Sequence, residues 1–99
     1  MIVAATTSDL MDRSRISSSI PDVRFDLDVS AEVVIIDISR DAAQVAEIRA
    51  AIPSARIVCY GPHVDDEAAG AARAAGADVV LPRSRFFRDP AAAIAPAEL

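Results

Sequence analysis

Short apolar runs alternate along the chain with stretches of helical spacing. The segment from Ala31 to Ser39 holds an almost purely β-branched run that ends in one acid, Asp37. This run is too short for a helix buried on all faces, so it predicts a central parallel strand covered on both sides. Similar apolar runs predict three further strands at residues 2–5, 56–60 and 78–81. Because parallel strands end at one edge of a sheet, Asp37 is expected where open α/β folds place their ligand sites.

A fifth run has a different pattern. In residues 23–28, Val23, Phe25 and Leu27 alternate with charged residues. A period of two indicates one buried and one solvated face, which predicts an edge strand. Only residues 29–32 separate this strand from the central one, whereas a parallel crossover needs roughly ten or more residues. We therefore expect the second helix to be reduced or absent.

The stretches between the other strands have helical periodicity. Helices are predicted over about residues 10–18, 39–52 and 64–75, and Asp89 with Pro90 starts a final short one. Leu10, Met11 and Ile16 are expected to anchor the first helix to the core. Together the elements predict a three-layer α/β domain with a five-stranded parallel sheet, spanning residues 1–99.

Composition narrows the classes of partner. The formal net charge is −5, which disfavours a general surface for nucleic acid or anionic membranes. No apolar segment approaches the ~20 residues of a membrane-spanning helix. The single cysteine, Cys59, excludes an internal disulfide and fits a reducing compartment. These features predict a cytoplasmic protein without a nucleic-acid or membrane partner.

Two motifs resemble those of a known family. Residues 31–37, Ala-Glu-Val-Val-Ile-Ile-Asp, resemble the third strand of bacterial response-regulator receiver domains, which ends in the phosphorylated aspartate. Residues 74–83, Ala-Ala-Gly-Ala-Asp-Val-Val-Leu-Pro-Arg, resemble that family's last helix-to-strand segment, Gly-Ala-Asp-x-x-Leu-Pro-Lys. The resemblance covers most of the chain. It implies a flavodoxin-like fold, with Asp37 as the candidate phospho-acceptor.

The chain departs from the family at the positions that carry its chemistry. The pair of magnesium-binding acids corresponds to Thr6 and Thr7, which supply no negative charge to offset dehydration of the ion. The family's switch hydroxyl corresponds to Gly61, its lysine to Arg83 and its signalling aromatic residue to Val80. We therefore expect a degenerate receiver that is not an enzyme and holds no metal or cofactor.

These departures favour a pseudo-receiver that acts as a signalling or scaffold module. Its partner would be another protein or a second copy of itself. The candidate contact surface is the one basic cluster of this acidic chain, which also holds half of its aromatic residues. Arginine and aromatic side chains are enriched in such surfaces. The candidate residues are Arg83, Arg85, Phe86, Phe87 and Arg88.

Two alternative functions use the carboxyl edge of the sheet instead. One is a sensor of a small anion or other ligand, with Thr6, Thr7, His63 and Arg83 as candidate contacts. The other is an atypical receiver phosphorylated on Asp37, although phosphoryl transfer depends on a metal to neutralise developing charge. A plainer interpretation of Asp37 is a strand-end acid that caps the next helix or pairs with Arg83.

Overall fold

The computed structural model describes residues 1–39, 42–61 and 66–95. Within these residues, strands β1 to β4 cover Val3–Ala5, Val33–Asp37, Arg56–Gly61 and Val79–Pro82. Helices α1 to α5 cover Leu10–Ser19, Gln44–Ala51, Asp66–Ala75, Arg83–Phe86 and Pro90–Ile94. None of these helices is long and apolar enough to cross a membrane.

The strands form a parallel sheet with the order β1-β2-β3-β4. Successive side chains of a strand point to opposite faces, so this sheet has an apolar core on each side. One face packs against α2 and α3, which contribute Val45 and Ala72. The other face packs against α1, α4 and α5, which contribute Ile16, Phe86 and Ile94. The result is the expected three-layer, flavodoxin-like α/β arrangement.

The prediction of five strands is wrong, because residues 23–28 do not form a strand. Their pairing is limited to one parallel bridge, in which Arg24 donates to the Val3 carbonyl (2.9 Å) and accepts from the Ala5 amide (2.8 Å). The chain then turns at Asp28, whose carbonyl accepts from the Ala31 amide. Since a parallel neighbour of β1 would end far from the start of β2, the few remaining residues cannot support longer pairing. Residues 24–32, all of which are described, contain no helix.

Helix α1 presents a different face to the core from the one expected. Leu10 and Met11 are 79% and 69% exposed, so the prediction that they anchor this helix is wrong. The buried positions are Asp12 and Ile16, which lie one turn apart on the same face. Asp9 caps the helix by accepting from the Asp12 amide (3.0 Å). The core-facing stripe of α1 therefore begins with an acid.

Gly76 ends α3 in the left-handed region, with φ of 123°. A Cβ atom there would lie 2.8 Å from the Cγ of Arg49 on α2. The Arg49 guanidinium donates to the Gly76 carbonyl (2.8 and 3.1 Å) and to Asp78 (2.8 Å). This glycine thus lets α2 pack closely against the loop that leads into β4.

Candidate functional site

Asp37 ends β2 at the carboxyl edge of the sheet, and its side chain is buried. Its Oδ1 accepts from the Ser39 amide (3.0 Å) and from the Ser39 hydroxyl (2.5 Å). These bonds close the turn that directly follows the strand. Asp37 does not pair with Arg83, which has a different carboxylate partner.

That partner is Asp12 of α1. The two terminal nitrogens of Arg83 donate to the two oxygens of Asp12, each at 2.7 Å. Asp12 is only 2% exposed, so this bidentate pair compensates an otherwise costly buried charge. The hydrogen bonds from Arg83 are the main cause of a lowered pKa for Asp12. In turn, they raise the pKa of Arg83.

Tyr60 of β3 also contacts the Asp12 carboxylate. Its hydroxyl donates to Asp12 Oδ2 at 3.0 Å, and burial raises the pKa of the phenol well above its usual value. Its ring stacks on Phe86, with centroids 4.7 Å apart, and meets the edge of Phe87 at 5.0 Å. The Arg83 guanidinium lies 4.9 Å from the Phe87 ring centroid. We call Asp12, Tyr60 and Arg83 the Asp12 triad.

Thr6 and Thr7 follow β1 at the same edge. The Thr6 amide extends the β1–β2 ladder by donating to the Ile35 carbonyl (3.0 Å), and the Thr7 carbonyl accepts from Arg13 Nε (2.8 Å). The Thr7 side chain is buried. The nearby Thr7 hydroxyl lowers the pKa of Tyr60, against the larger raising effect of burial. Thr7 Oγ1 nevertheless has no hydrogen-bond partner of normal geometry among the described residues. Both hydrogen bonds to Ile35 and Arg13 are made by the backbone groups of the two threonines, and neither side chain adds charge to the site.

The predicted contact cluster divides between core and surface. Phe86 is fully buried, Phe87 is half-buried, and Arg85 and Arg88 are exposed. Arg83 is committed to Asp12. Of the five candidates, Arg85, Phe87 and Arg88 are therefore available to a partner. The predicted site residue His63 lies outside the described residues.

Cys59 lies in the middle of β3 and is fully buried. Burial raises the pKa of its thiol to about 12. Because the thiolate is the reactive form, this cysteine behaves as a small apolar core residue.

A groove of about 580 Å³ opens at the carboxyl edge, between α3 and the residues that precede α2. Five alanines line it together with Ile38, Ser39 and Gly61. Ser39 is the polar side chain among these lining residues, and its hydroxyl is engaged by Asp37. The groove thus offers apolar surface with little to orient a polar ligand.

Several solved response regulators are similar to this structure. An orphan response regulator of H. pylori has a TM-score of 0.72 and 14% identity, over 96% of this chain and 97% of that one. An atypical orphan response regulator, whose structure revealed a new phosphorylation-independent regulatory mechanism, has a TM-score of 0.75 and 16% identity, over 95% of this chain and 92% of that one. This chain has a receiver-like fold.

A response regulator from Burkholderia pseudomallei, solved with a phosphorylated aspartic acid, a calcium ion and citrate, is also similar. Its TM-score is 0.72 at 15% identity, and the match covers 95% of this chain but 65% of that one. No protein-family model matches the sequence, and no curated protein matches it. At these identities the similarity shows the receiver-like fold alone.

The receiver-like fold implies a divalent cation beside Asp37, and the described residues do not fit one. Such an ion needs several oxygen ligands, carboxylates among them. Thr6 and Thr7 bring no charge, and both oxygens of Asp12 are taken by Arg83 and Tyr60. The described part of the chain holds no group of three or more acidic, histidine or cysteine side chains that could bind a metal.

Sequence reasoning missed Asp12 and Tyr60 as members of this site. One signal for Asp12 was available, because it lies four residues before Ile16 and so shares the face of α1 that Ile16 anchors. However, an acid in the first turn of a helix is ordinarily explained by its favourable interaction with the helix dipole. That explanation gives no reason to expect a buried ion pair at Asp12. Tyr60 had no comparable signal, since an aromatic residue in a buried strand fits a core position equally well.

Proposed function

We propose that this chain is a non-catalytic, receiver-like signalling or scaffold module that acts through contacts with a protein partner and independently of phosphorylation at Asp37. The observation that carries this proposal is the bidentate pairing of Arg83 with buried Asp12. Arg83 occupies the position at which the resemblance places a conserved lysine. Here its charge is already neutralised inside the protein.

The cost of releasing Arg83 supports this proposal. To reach a phosphoryl group on Asp37, its guanidinium would have to leave the Asp12 carboxylate buried without a counter-charge. Breaking a buried ion pair in this way costs about 3 kcal/mol. Among the described residues, phosphoryl transfer would also find no set of carboxylates to hold a neutralising cation. Both considerations favour a resting site that does not respond to a phosphoryl donor.

One of the similar structures agrees with such a role. The atypical orphan response regulator has a phosphorylation-independent regulatory mechanism. The receiver-like fold therefore occurs in at least one protein regulated without phosphorylation. By analogy, we assign this chain to the same mode of action.

The alternative of an anion sensor receives less support from the geometry. Its candidate donor Arg83 points its terminal nitrogens at Asp12 rather than at the solvent. An anion placed there would also meet the negative charge of Asp12. An arginine already paired with a carboxylate is a poor anion site.

Intact mass spectrometry tests the phosphorylation-independent mode of action. The protein is incubated with Mg²⁺ and acetyl phosphate, and Asp37→Asn serves as the matched control. We expect no phosphoryl adduct on either protein. An adduct on the wild type that is absent from Asp37→Asn would show that Asp37 is a phospho-acceptor and would overturn this part of the proposal.

Crosslinking in the native host tests the contact role. A photo-crosslinking amino acid replaces Arg73 on α3 or Arg88 after α4, which are exposed positions on opposite layers. We expect a discrete protein adduct from at least one position, in equal yield with and without Asp37→Asn. The absence of an adduct from both positions, or its loss in Asp37→Asn, would contradict the proposed role.

A further inference from the structure

One flank of α1 carries a basic surface that the triad does not use. Two open, adjoining depressions of about 520 and 440 Å³ lie between α1 and the residues that follow β4. Both are lined by Arg15, Phe87 and Arg88. The Arg15 guanidinium lies 5.7 Å from the Phe87 ring centroid. Arg15 is exposed, so its N–H groups can reach an acceptor outside the protein while the guanidinium lies over the ring.

In the described part of the chain, the two outer arginines of this surface have no ion-pair partner of their own, although Arg15 contributes to the lowered pKa of Asp12 through its charge. Neither Arg15 nor Arg88 forms an ion pair or a side-chain hydrogen bond with any described residue. The charge of Arg83, which lies beneath them, is offset by Asp12. Asp89 borders the surface, but its carboxylate caps α5 by accepting from the Ala92 amide (3.2 Å). Two unpaired arginines therefore stand on a chain of net charge −5.

An exposed apolar side chain extends this surface along α1. Met11 lies one helical turn before Arg15 and is largely solvent-exposed. We call Met11, Arg15, Phe87 and Arg88 the basic surface. Its complement would carry exposed apolar residues next to carboxylates.

The chain itself contains a segment with that chemistry. In residues 26–29, Leu27 and Val29 are 49% and 78% exposed, and they alternate with Asp26 and Asp28. Asp28 pairs with Arg24 (2.7 Å), whereas Asp26 is exposed and has no ion-pair or hydrogen-bond partner among the described residues. This segment follows the single bridge at Arg24 and does not itself pair with the sheet. We call residues 26–29 the acidic loop.

The acidic loop and the basic surface lie on opposite flanks of α1. The Arg13 guanidinium stacks 5.0 Å from the ring of Phe25, next to the acidic loop, while that of Arg15 lies over Phe87. Residues two positions apart in a helix point about 200° apart around its axis. One copy therefore cannot satisfy its own basic surface with its own acidic loop. It exposes both halves of a complementary pair to its neighbours.

We propose that the basic surface of one copy binds the acidic loop of a second copy, head to tail. In this contact Arg15 and Arg88 face Asp26, and Met11 and Phe87 cover Leu27 and Val29. Because the two patches differ, the contact is heterologous and can be repeated from copy to copy. The inference rests on the proposed contact role and names the partner as the chain itself.

Sedimentation velocity over about 10 µM to 1 mM tests this contact, since a small interface is expected to be weak. The wild type should self-associate, and 0.5 M salt should weaken the association by screening. Self-association should be at least about tenfold weaker in the double variant Arg15→Glu/Arg88→Glu and in the single variant Asp26→Lys. The control Arg73→Glu, an exposed arginine on α3, should associate like the wild type.

Mixing the two charge-reversed proteins gives the decisive measurement. Arg15→Glu/Arg88→Glu retains an intact acidic loop, and Asp26→Lys retains an intact basic surface. An equimolar mixture should therefore restore association, because the two intact halves can pair and the two reversed halves are again opposite in charge. Circular dichroism and thermal melting confirm that each variant is folded.

Three results would overturn the inference. They are a wild type that stays monomeric at every concentration, an association unaffected by the charge reversals, and a mixture in which association is not restored. A monomeric wild type that still crosslinks to another protein in the host would leave the proposed function standing. A phosphoryl adduct on Asp37 would contradict the proposed function but would not contradict the inferred contact between copies.

Discussion

Two buried carboxylates lie near the carboxyl edge of this sheet, and they are held in different ways. Asp37 is satisfied by Ser39, two residues further along the chain. Asp12 is satisfied by Tyr60 and Arg83, which are 48 and 71 residues away. The first arrangement closes a local turn, whereas the second ties α1 to β3 and to the start of α4.

The difference shows that the buried ion pair of this receiver-like fold is formed at Asp12 and not at Asp37. The strand-end acid that the sequence draws attention to has a neutral, local partner. Asp12 of α1, which the sequence does not single out, pairs with Arg83. The resemblance would have placed the positive charge of Arg83 beside Asp37. Substitutions at the Asp12 triad should therefore affect stability more than substitutions around Asp37.

Removing the Asp12 carboxylate is expected to have the largest effect. Asp12→Ala leaves Arg83 without its counter-charge and the Tyr60 hydroxyl without its acceptor, which should lower the free energy of unfolding by about 3 kcal/mol. Urea unfolding monitored by circular dichroism measures the change. The control Asp26→Ala removes an exposed, unpaired carboxylate and should stay within about 0.5 kcal/mol of the wild type. A loss below about 1 kcal/mol for Asp12→Ala would show that the triad is not the stabilising centre.

The second prediction concerns pH. Arg83 lowers the pKa of Asp12 in the folded protein, so the stability that the pair contributes is present above the unfolded value of about 3.9 and is lost as the pH falls through the lower folded value. Asp12→Asn lacks this contribution and should be about 2 kcal/mol less stable at neutral pH. The gap between the two proteins should then narrow below about pH 4. Urea titrations at a series of pH values measure it, and a gap that stays constant would contradict the assignment.

Replacing Arg83 by lysine should have an intermediate effect. Arg83→Lys retains the charge but not the planar pair of donors that meets both oxygens of Asp12. We expect a loss of about 1 kcal/mol in the free energy of unfolding. Arg85→Lys, at an exposed position two residues away, should be neutral. If lysine at position 83 proves as stable as arginine, the bidentate geometry contributes nothing to stability.

The smallest effect is expected around Asp37. Ser39→Ala removes one of the two donors to Asp37 Oδ1 and keeps the backbone amide, so it should cost about 0.5–1 kcal/mol. The same thermal or urea unfolding experiment measures this change. A larger loss for Ser39→Ala than for Arg83→Lys would reverse the ranking of the two carboxylates.

Much of the fold follows from local sequence patterns. The β-branched run before Asp37 and the helical spacing after it each act over a few residues. The strand ends at Asp37 as predicted, whereas the helix predicted from residue 39 begins at Gln44. The shortage of residues before β2 likewise indicates a missing helix. It also removes the fifth strand, because a chain that must return so soon pairs with β1 only at Arg24.

The sequence by itself determined the alternation of strands and helices and the placement of Asp37 at the edge of the sheet, because periodicity and strand ends are local properties. Only the tertiary structure decided that Asp12, rather than Leu10 or Met11, faces the core. It also decided that Arg83 pairs with Asp12 and that Phe86 is buried while Arg88 remains open. Each of these outcomes depends on which side chains from distant segments share a desolvated space, and the competition among them is resolved by packing and charge compensation across the whole fold.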